Sequence, residues 1–394
     1  MFELLSEPRK DPILSLSAAY KDDPRTNKLD LGIGVYRNND GITPVMAAVK
    51  AAEQYLLENQ PSKAYVGLAG DEIFNEAITH LLLAGTEAEH RAIALQTPGA
   101  SGALRMLADL IRQTKPDTTV WISDPGYVNH RPIMEAAGLK VRSYPYFDPN
   151  TKTLNEAAML AQFAQLGPDD ILLLHGCCHN PTGVDLEFSH WQQIASMSQK
   201  QGFLPFIDIA YQGFGDGLEQ DLKGLQHVVD QVEEVLITTS CSKNFGLYRE
   251  RTGAAVLVAK DKQTASKARS RMFEIVRANY TMPPDHGSAI VAHILTTPEL
   301  KQQWLQELNT MLTRIKGLRT SLRTQFQAKT GEDRFAFFEH HKGMFSVTGL
   351  STEQINRLRE EFGIYIVGDS RVNVAGMQEQ AIPYLIDSFL AVGA

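Results

Sequence analysis

Cysteine is scarce in this chain. Three residues in 394 cannot build a disulfide framework, and two of them, Cys177 and Cys178, are adjacent. Neighbours on a strand point to opposite faces, so the pair is expected to chelate poorly and no metal is expected. The compartment that suits so few cysteines is a reducing cytoplasm. Long apolar runs are absent too, none approaching the ~20 residues that span a bilayer. The opening stretch from Met1 to Pro8 is acidic and has no long apolar core, unlike a signal peptide. Nor is there an excess of basic residues: 38 Lys and Arg face 46 Asp and Glu, for a net charge of −8. Nucleic acid and anionic membranes are therefore not expected partners. Internal repeats and low-complexity linkers are missing. So is a dinucleotide loop. Gly213-Phe214-Gly215-Asp216-Gly217 follows an apolar run, but Leu218 stands where G-x-G-x-x-G requires glycine, and the stretch reads as a turn.

What is present is a globular composition, 43% hydrophobic and 21% charged, long enough for two or three structural units. Short apolar runs end in small or polar residues at Val120 to Asp124, Ile171 to His175, Leu204 to Asp208 and Val235 to Thr239. Each precedes a stretch with helical potential, such as Trp191 to Gln201. That alternation predicts a parallel sheet covered on both faces, with ligands at the carboxyl ends of the strands. Asp124, His175, Asp208 and Ser240 fall there. Further on, Trp304, Leu308, Met311, Leu312, Ile315, Leu318, Leu322 and Phe326 recur at steps of three and four. They predict one long amphipathic helix over Lys301 to Lys329, about 40 Å at ~1.5 Å per residue. Strands at Phe335 to Phe338 and Met344 to Val347, and a helix around Thr352 to Phe362, indicate a smaller α/β unit.

The most informative stretch is Ser240-Cys241-Ser242-Lys243-Asn244-Phe245-Gly246. It places Lys243 just past an apolar strand, with no further charge until Arg249. A partly desolvated lysine has a lowered pKa, and its neutral amine can hold a carbonyl as a Schiff base. The plain alternative is a solvated lysine. Asp208 ends an apolar run, a costly place for a carboxylate without a partner. A pyridinium N–H would serve, with Tyr211 three residues on for the ring's phenolic oxygen; a helix cap is the alternative. Asn180-Pro181-Thr182-Gly183 is good turn chemistry in its own right. Its functional reading gives the Asn180 amide to both a cofactor phenolate and a substrate carboxylate. Thr97 to Leu104 is a small-residue turn opening a helix, where free N–H groups attract a phosphate. Ser240, Ser242 and Arg251 would add hydroxyls and a fork-shaped cation, or be ordinary caps. Cys177, Cys178 and His179 match no standard metal spacing.

With these residues in place, the chain from about Asp11 to its C-terminus closely resembles the aspartate and aromatic aminotransferases, class I pyridoxal-phosphate enzymes. The resemblance rests on Leu31 to Tyr36, His179 to Gly183, Asp208 to Phe214, Ser240 to Arg251, Arg277 to Tyr280 and Arg371 to Gly376. It implies an α/β fold of fold type I: a mostly parallel seven-stranded sheet with helices on both faces, plus a smaller α/β domain. It implies an N-terminal arm with the first part of the small domain (1–40), a large cofactor-binding domain (41–305), and a linking helix with the small domain (306–394). By resemblance, Lys243 carries pyridoxal 5'-phosphate and moves the proton, Asp208 pairs the ring nitrogen with His130 behind it, and Tyr211 and Asn180 bond the ring oxygen. Ala100 through its N–H, Ser101, Ser240, Ser242 and Arg251 hold the phosphate, helped by Tyr65 of a second subunit. Arg371, Asn180 and the Gly34 backbone take the substrate α-carboxylate. Arg277 of the second subunit meets a distal carboxylate. The implied assembly is a homodimer with shared sites, acting on amino acids and 2-oxo acids.

Two departures bear on substrate. Tyr127 stands where the family usually stacks tryptophan on the ring, and tyrosine covers less of it and loses the indole N–H. The phosphate turn carries Ala100 where glycine is common, and Ser101 where aspartate-preferring members tend to have threonine. The expected activity is transfer of the amino group of aromatic amino acids or aspartate to 2-oxoglutarate. The alternatives are a strictly aspartate-preferring enzyme and a decarboxylase or lyase on the same fold. Arg371 with Arg277 argues against the latter, because both carboxylates would be retained.

Overall fold

The computed structural model describes residues 1–5 and 12–394. Ser6 to Pro8 of the acidic opening stretch, and Asp11 where the resemblance begins, lie outside the described residues. Seven strands form the central sheet: β1 (Ala92–Pro98), β2 (Thr119–Asp124), β3 (Lys140–Pro145), β4 (Asp170–His175), β5 (Leu204–Ile209), β6 (Val235–Ser240) and β7 (Thr252–Val258). Their spatial order is β3-β2-β4-β5-β6-β7-β1. Neighbours from β3 to β6 run parallel, and β7 is antiparallel to both β6 and β1. The mostly parallel sheet is thus as expected, and the four predicted runs are β2, β4, β5 and β6. Three strands gave no such signal. Strand β3 is a partly exposed edge, so Lys140-Val141-Arg142-Ser143 carries no continuous apolar run. Strand β7 is linked to β6 without the strand-to-helix alternation that marks parallel neighbours: only residues 241–251 separate them, too few for a helical crossover. Strand β1 does lead into a helix, Gly99–Thr114, but its run ends in the polar Gln96 and Thr97.

Two apolar cores lie against this sheet, one holding Phe74, Leu172, Ile207 and Ile237, the other Leu107, Val120, Leu173 and Phe206. Alternate residues of the same strands feed opposite cores, as a sheet buried on both faces requires. A third core holds Leu31, Phe338, Ile355, Ile364 and Phe389. Leu29–Asp30 pairs in parallel with Ile364–Tyr365, so the N-terminal segment joins the C-terminal unit. The long helix runs Pro298–Thr330, three residues earlier than its apolar period suggested, because Pro298 suits its first turn. Trp304, Leu308, Met311 and Ile315 belong to the first core and Leu318, Leu322 and Phe326 to the third. Arg319, 2% exposed on the same helix, donates to the carbonyls of Phe338, Gly343 and Phe345 and to Ser346 Oγ. Its charge is thereby paired with four fixed dipoles.

The expected strand at Phe335 to Phe338 is instead a turn leading into a short helix, Phe337–His340. Successive strand residues face opposite ways, yet Phe337 and Phe338 both enter the third core with rings 4.5 Å apart. Phe345–Val347 is a strand, paired antiparallel with Arg371–Asn373, and Thr352–Phe362 is a helix closed by a Ser351–Gln354 capping box.

Candidate active site

The carboxyl ends of β4, β5 and β6 surround a cavity of about 220 Å³ together with the first turn of α1 (Gly99–Thr114). Gly34, Ala100, Ser101, Tyr127, Asn180, Asp208, Tyr211, Ser240, Ser242, Lys243 and Arg251 all line it. His175 lines it as well, but Asp124, at the end of β2, is exposed and does not. The four strand ends are therefore three at the site.

Lys243 follows β6 on a loop held from behind. Trp304 Nε1 donates to the Asn244 carbonyl at 2.7 Å, and its ring stacks on Phe245 with centroids 4.4 Å apart. The ammonium lies 4.6 Å from the centre of the Tyr211 ring. Burial pulls the Lys243 amine down to about 8; Asp208 opposes that and Arg251 adds to it. A neutral, nucleophilic amine is thus within reach near neutral pH. Burial keeps the Tyr211 phenol protonated far above its ordinary range, so its hydroxyl is a donor.

Asp208 is 6% exposed, and each of its oxygens accepts one hydrogen bond from a neighbour. His130 Nε2 bonds Oδ2 at 2.8 Å and the Thr238 hydroxyl bonds Oδ1 at 2.8 Å. Burial alone would raise this carboxyl, but the bond and charge of His130, helped by His175 and Thr238, hold it below its usual value. His175 and His179 continue the cluster, with ring centroids 4.2 Å apart. Burial drives His175 down to about 3 and His179 well below its ordinary value, so both are neutral at pH 7.

The Asn180 turn is shaped by Asp185, which accepts the Cys178 and His179 N–H groups at 2.8 Å each. Asn180 Oδ1 accepts from Arg371 Nη1 at 3.2 Å, leaving its NH₂ to donate. Arg371 also donates to the Gly32 carbonyl at 2.7 Å and sits over the Phe345 ring at 4.4 Å. Cys177 and Cys178 lie in the turn after β4 instead of on a strand, so the argument from opposite faces does not hold. Their sulfurs and the Asp221 carboxylate come within 4.8 Å of one another. That carboxylate already accepts the N–H groups of Gly213, Gly215 and Asp216, which makes the glycine-rich stretch the expected turn.

The phosphate turn is built on close approach. Gly99 has φ +68°, and a Cβ there would come within 2.5 Å of the Arg251 guanidinium. A Cβ at Gly253 would press at 2.7–2.8 Å on the backbone of Gly99 and Ala100. No side chain caps the first turn of α1, which leaves its N–H groups to an anion. Arg251, itself at φ +52°, holds its guanidinium over this turn.

The chain matches the aminotransferase class I and II family over residues 26–389. It belongs to that family. An aromatic-amino-acid aminotransferase of Paracoccus denitrificans is 45% identical over 97% of this chain and 97% of its own. An aspartate aminotransferase of Salmonella typhi is 44% identical over 100% of both chains. Among solved structures, an aromatic-amino-acid aminotransferase from Burkholderia pseudomallei covalently bound to pyridoxal phosphate superposes with a TM-score of 0.97. It is 38% identical, covering 100% of this chain and 99% of that one.

Two expected site residues of this aminotransferase lie away from the cavity: Tyr65 is 89% exposed and Arg277, on the helix Lys262–Asn279, is exposed too. Three residues at or behind the site carried no assignment from sequence. Tyr248 lines the cavity and its hydroxyl accepts the Tyr36 N–H at 3.0 Å. Phe345 lies under Arg371, and Thr238 bonds Asp208. Phe345 and Thr238 reach the site through neighbours distant in sequence, whereas Tyr248 lies within the Ser240 to Arg251 stretch, where its spacing alone did not single it out. No helix among the described residues is long and apolar enough to cross a membrane.

Proposed function

We propose that this aminotransferase moves the amino group of aromatic amino acids, phenylalanine and tyrosine, or of aspartate to 2-oxoglutarate in a ping-pong cycle on pyridoxal 5'-phosphate. The observation that carries the reading is a single cavity holding a lysine amine lowered to about 8 and a buried, charged aspartate. The donor set fits the cofactor. Asp208 is an acceptor for a pyridinium N–H, Tyr211 and the Asn180 NH₂ are donors for a phenolate, and the α1 turn with Arg251 is a cradle for a phosphate that a Cβ at Gly99 would fill. When bound, pyridoxal phosphate supplies a carbonyl that condenses with amines and a ring that accepts electron density from the substrate α-carbon.

The chain's own groups do the rest. Lys243 holds the cofactor and then carries the α-proton on Nζ. Asp208, with His130 behind it, keeps the ring nitrogen protonated. Ala100 N–H, Ser101, Ser240, Ser242 and Arg251 bind the phosphate, and Tyr127 stacks on the ring. Arg371, Asn180 and the Gly34 backbone orient the α-carboxylate, which a transaminase retains. The exposed Tyr65 and Arg277 come from the second subunit of a homodimer, in the cytoplasm. Residues 41–305 form the cofactor domain, and 1–40 with 306–394 form the arm, linking helix and small domain.

Half-reactions of the purified protein test this reading. A yellow protein bleached by phenylalanine, tyrosine, aspartate and glutamate is expected, and loss of carbon dioxide instead of amino transfer would refute it. Arg277→Leu separates substrates. A dicarboxylate in a closed pocket needs a charged partner, so aspartate and 2-oxoglutarate should lose about 3 kcal/mol or more of transition-state binding. Phenylalanine, needing no such partner, should lose far less in the same absorbance measurement. Equal losses would make Arg277 structural.

A further inference from the structure

Strands β5 and β6 are parallel neighbours in which Asp208 and Thr238 are register partners. Side chains opposite each other in a sheet emerge on the same face, so the hydroxyl and the carboxylate meet by construction. Thr238 is 0% exposed, and a hydroxyl buried to that degree must find a partner. Its partner is Asp208 Oδ1 at 2.8 Å, while His130 Nε2 takes Oδ2 at 2.8 Å. An ionised carboxylate only accepts, so the Thr238 O–H donates. Two donors on two different oxygens fix the plane of the carboxylate, and Asp208 lines the cavity with acceptor capacity to spare. A β-branched residue suits a strand, but valine would fill the same volume without the bond.

We propose that Thr238 is a positioning residue of the amino-transfer reaction: its hydroxyl holds Asp208 charged and oriented toward the ring nitrogen of the bound cofactor. This rests on the reading of Asp208 as partner of that nitrogen. His130 supplies one bond from the helix His130–Ala136, and Thr238 supplies the other from the sheet itself. The charged and titratable groups around Asp208 are His130, His175 at the end of β4, Lys243, Tyr127 and Tyr211, with Arg251 beyond Lys243. His175 is neutral and so offers Asp208 no second cationic donor.

Without the hydroxyl, one buried oxygen of Asp208 lacks a donor and the carboxylate binds a proton more tightly. The proton it shares with the ring then moves toward Asp208, and the ring becomes less positive. A less positive ring repels a proton on the Lys243 nitrogen less, so the pH midpoint of the bound cofactor's absorbance change should rise. One hydrogen bond to a charged group is worth about one pH unit in that midpoint and roughly ten-fold in kcat. KM for the amino acid should change little, because Thr238 does not line the cavity.

The test is a spectroscopic pH titration of holoenzyme, with kcat and KM, for Thr238→Val, Thr238→Ala and Thr238→Ser, beside Asp208→Ala. Both hydroxyl-free variants should raise the midpoint and lower kcat, and Thr238→Ser should restore both. An unmoved midpoint in either hydroxyl-free variant that folds, or a shift in Thr238→Ser as large as in Thr238→Val, overturns the proposal. Should Thr238→Val fail to fold, Thr238→Ala, which adds no bulk, carries the decision. Asp208→Ala tells the two failures apart. If it leaves the midpoint unmoved, the role of Asp208 itself is wrong; if it moves while Thr238 variants do not, only the role of Thr238 is.

Discussion

Lys243→Ala should end amino transfer, with turnover falling on the order of 10⁴-fold, the upper range for loss of an acid–base group, and the covalent attachment lost as well. The structure gives the reason. Lys243 is the sole lysine lining the cavity among the described residues, and burial is what brings its amine down to about 8. No neighbouring base can replace it: His175 lines the same cavity but is driven to about 3, and Tyr211 is held protonated. The phosphate turn is untouched by the substitution, so pyridoxal phosphate should still bind, non-covalently, and be removable by dialysis. Turnover within ten-fold of the parent would sink the assignment.

Asp208→Ala should lower kcat by about 10²–10³-fold, the scale of one well-placed electrostatic partner removed, while KM for the amino acid changes little. The substitution also leaves the His130 Nε2 and Thr238 hydroxyl donors without their acceptor, each buried. Stability should therefore fall by about 1–3 kcal/mol, read as a lower midpoint in urea. Asp208→Glu keeps the charge and should retain more activity than Asp208→Ala. If Asp208→Ala behaves like the parent in both kcat and the pH-dependent absorbance, Asp208 serves the sheet alone.

Much of this site was legible because its chemistry is written at strand ends. A carboxylate closing an apolar run and a lysine just beyond another are locally costly, and cost without a local partner points to a distant one. The long helix was legible for a related reason, since its apolar period persists through both cores it enters. Where the reading failed, an assumption about neighbours failed. Phe335 to Phe338 has the composition of a strand, but Phe326 and Phe389 draw its rings into one cluster that alternation cannot satisfy. Cys177 and Cys178 were placed on a strand that ends two residues earlier, at His175.

The amino-acid sequence by itself determined the strand-and-helix alternation, the turn at Gly99 and the residue types gathered at the strand ends. These follow from local rules of periodicity and steric freedom. Only the tertiary structure decided that β7 runs antiparallel beside β6 and that Thr238 is the strand partner of Asp208. It also decided the proton affinity of Lys243. Desolvation is a collective property of every layer packed around the amine, and no short run of residues records it.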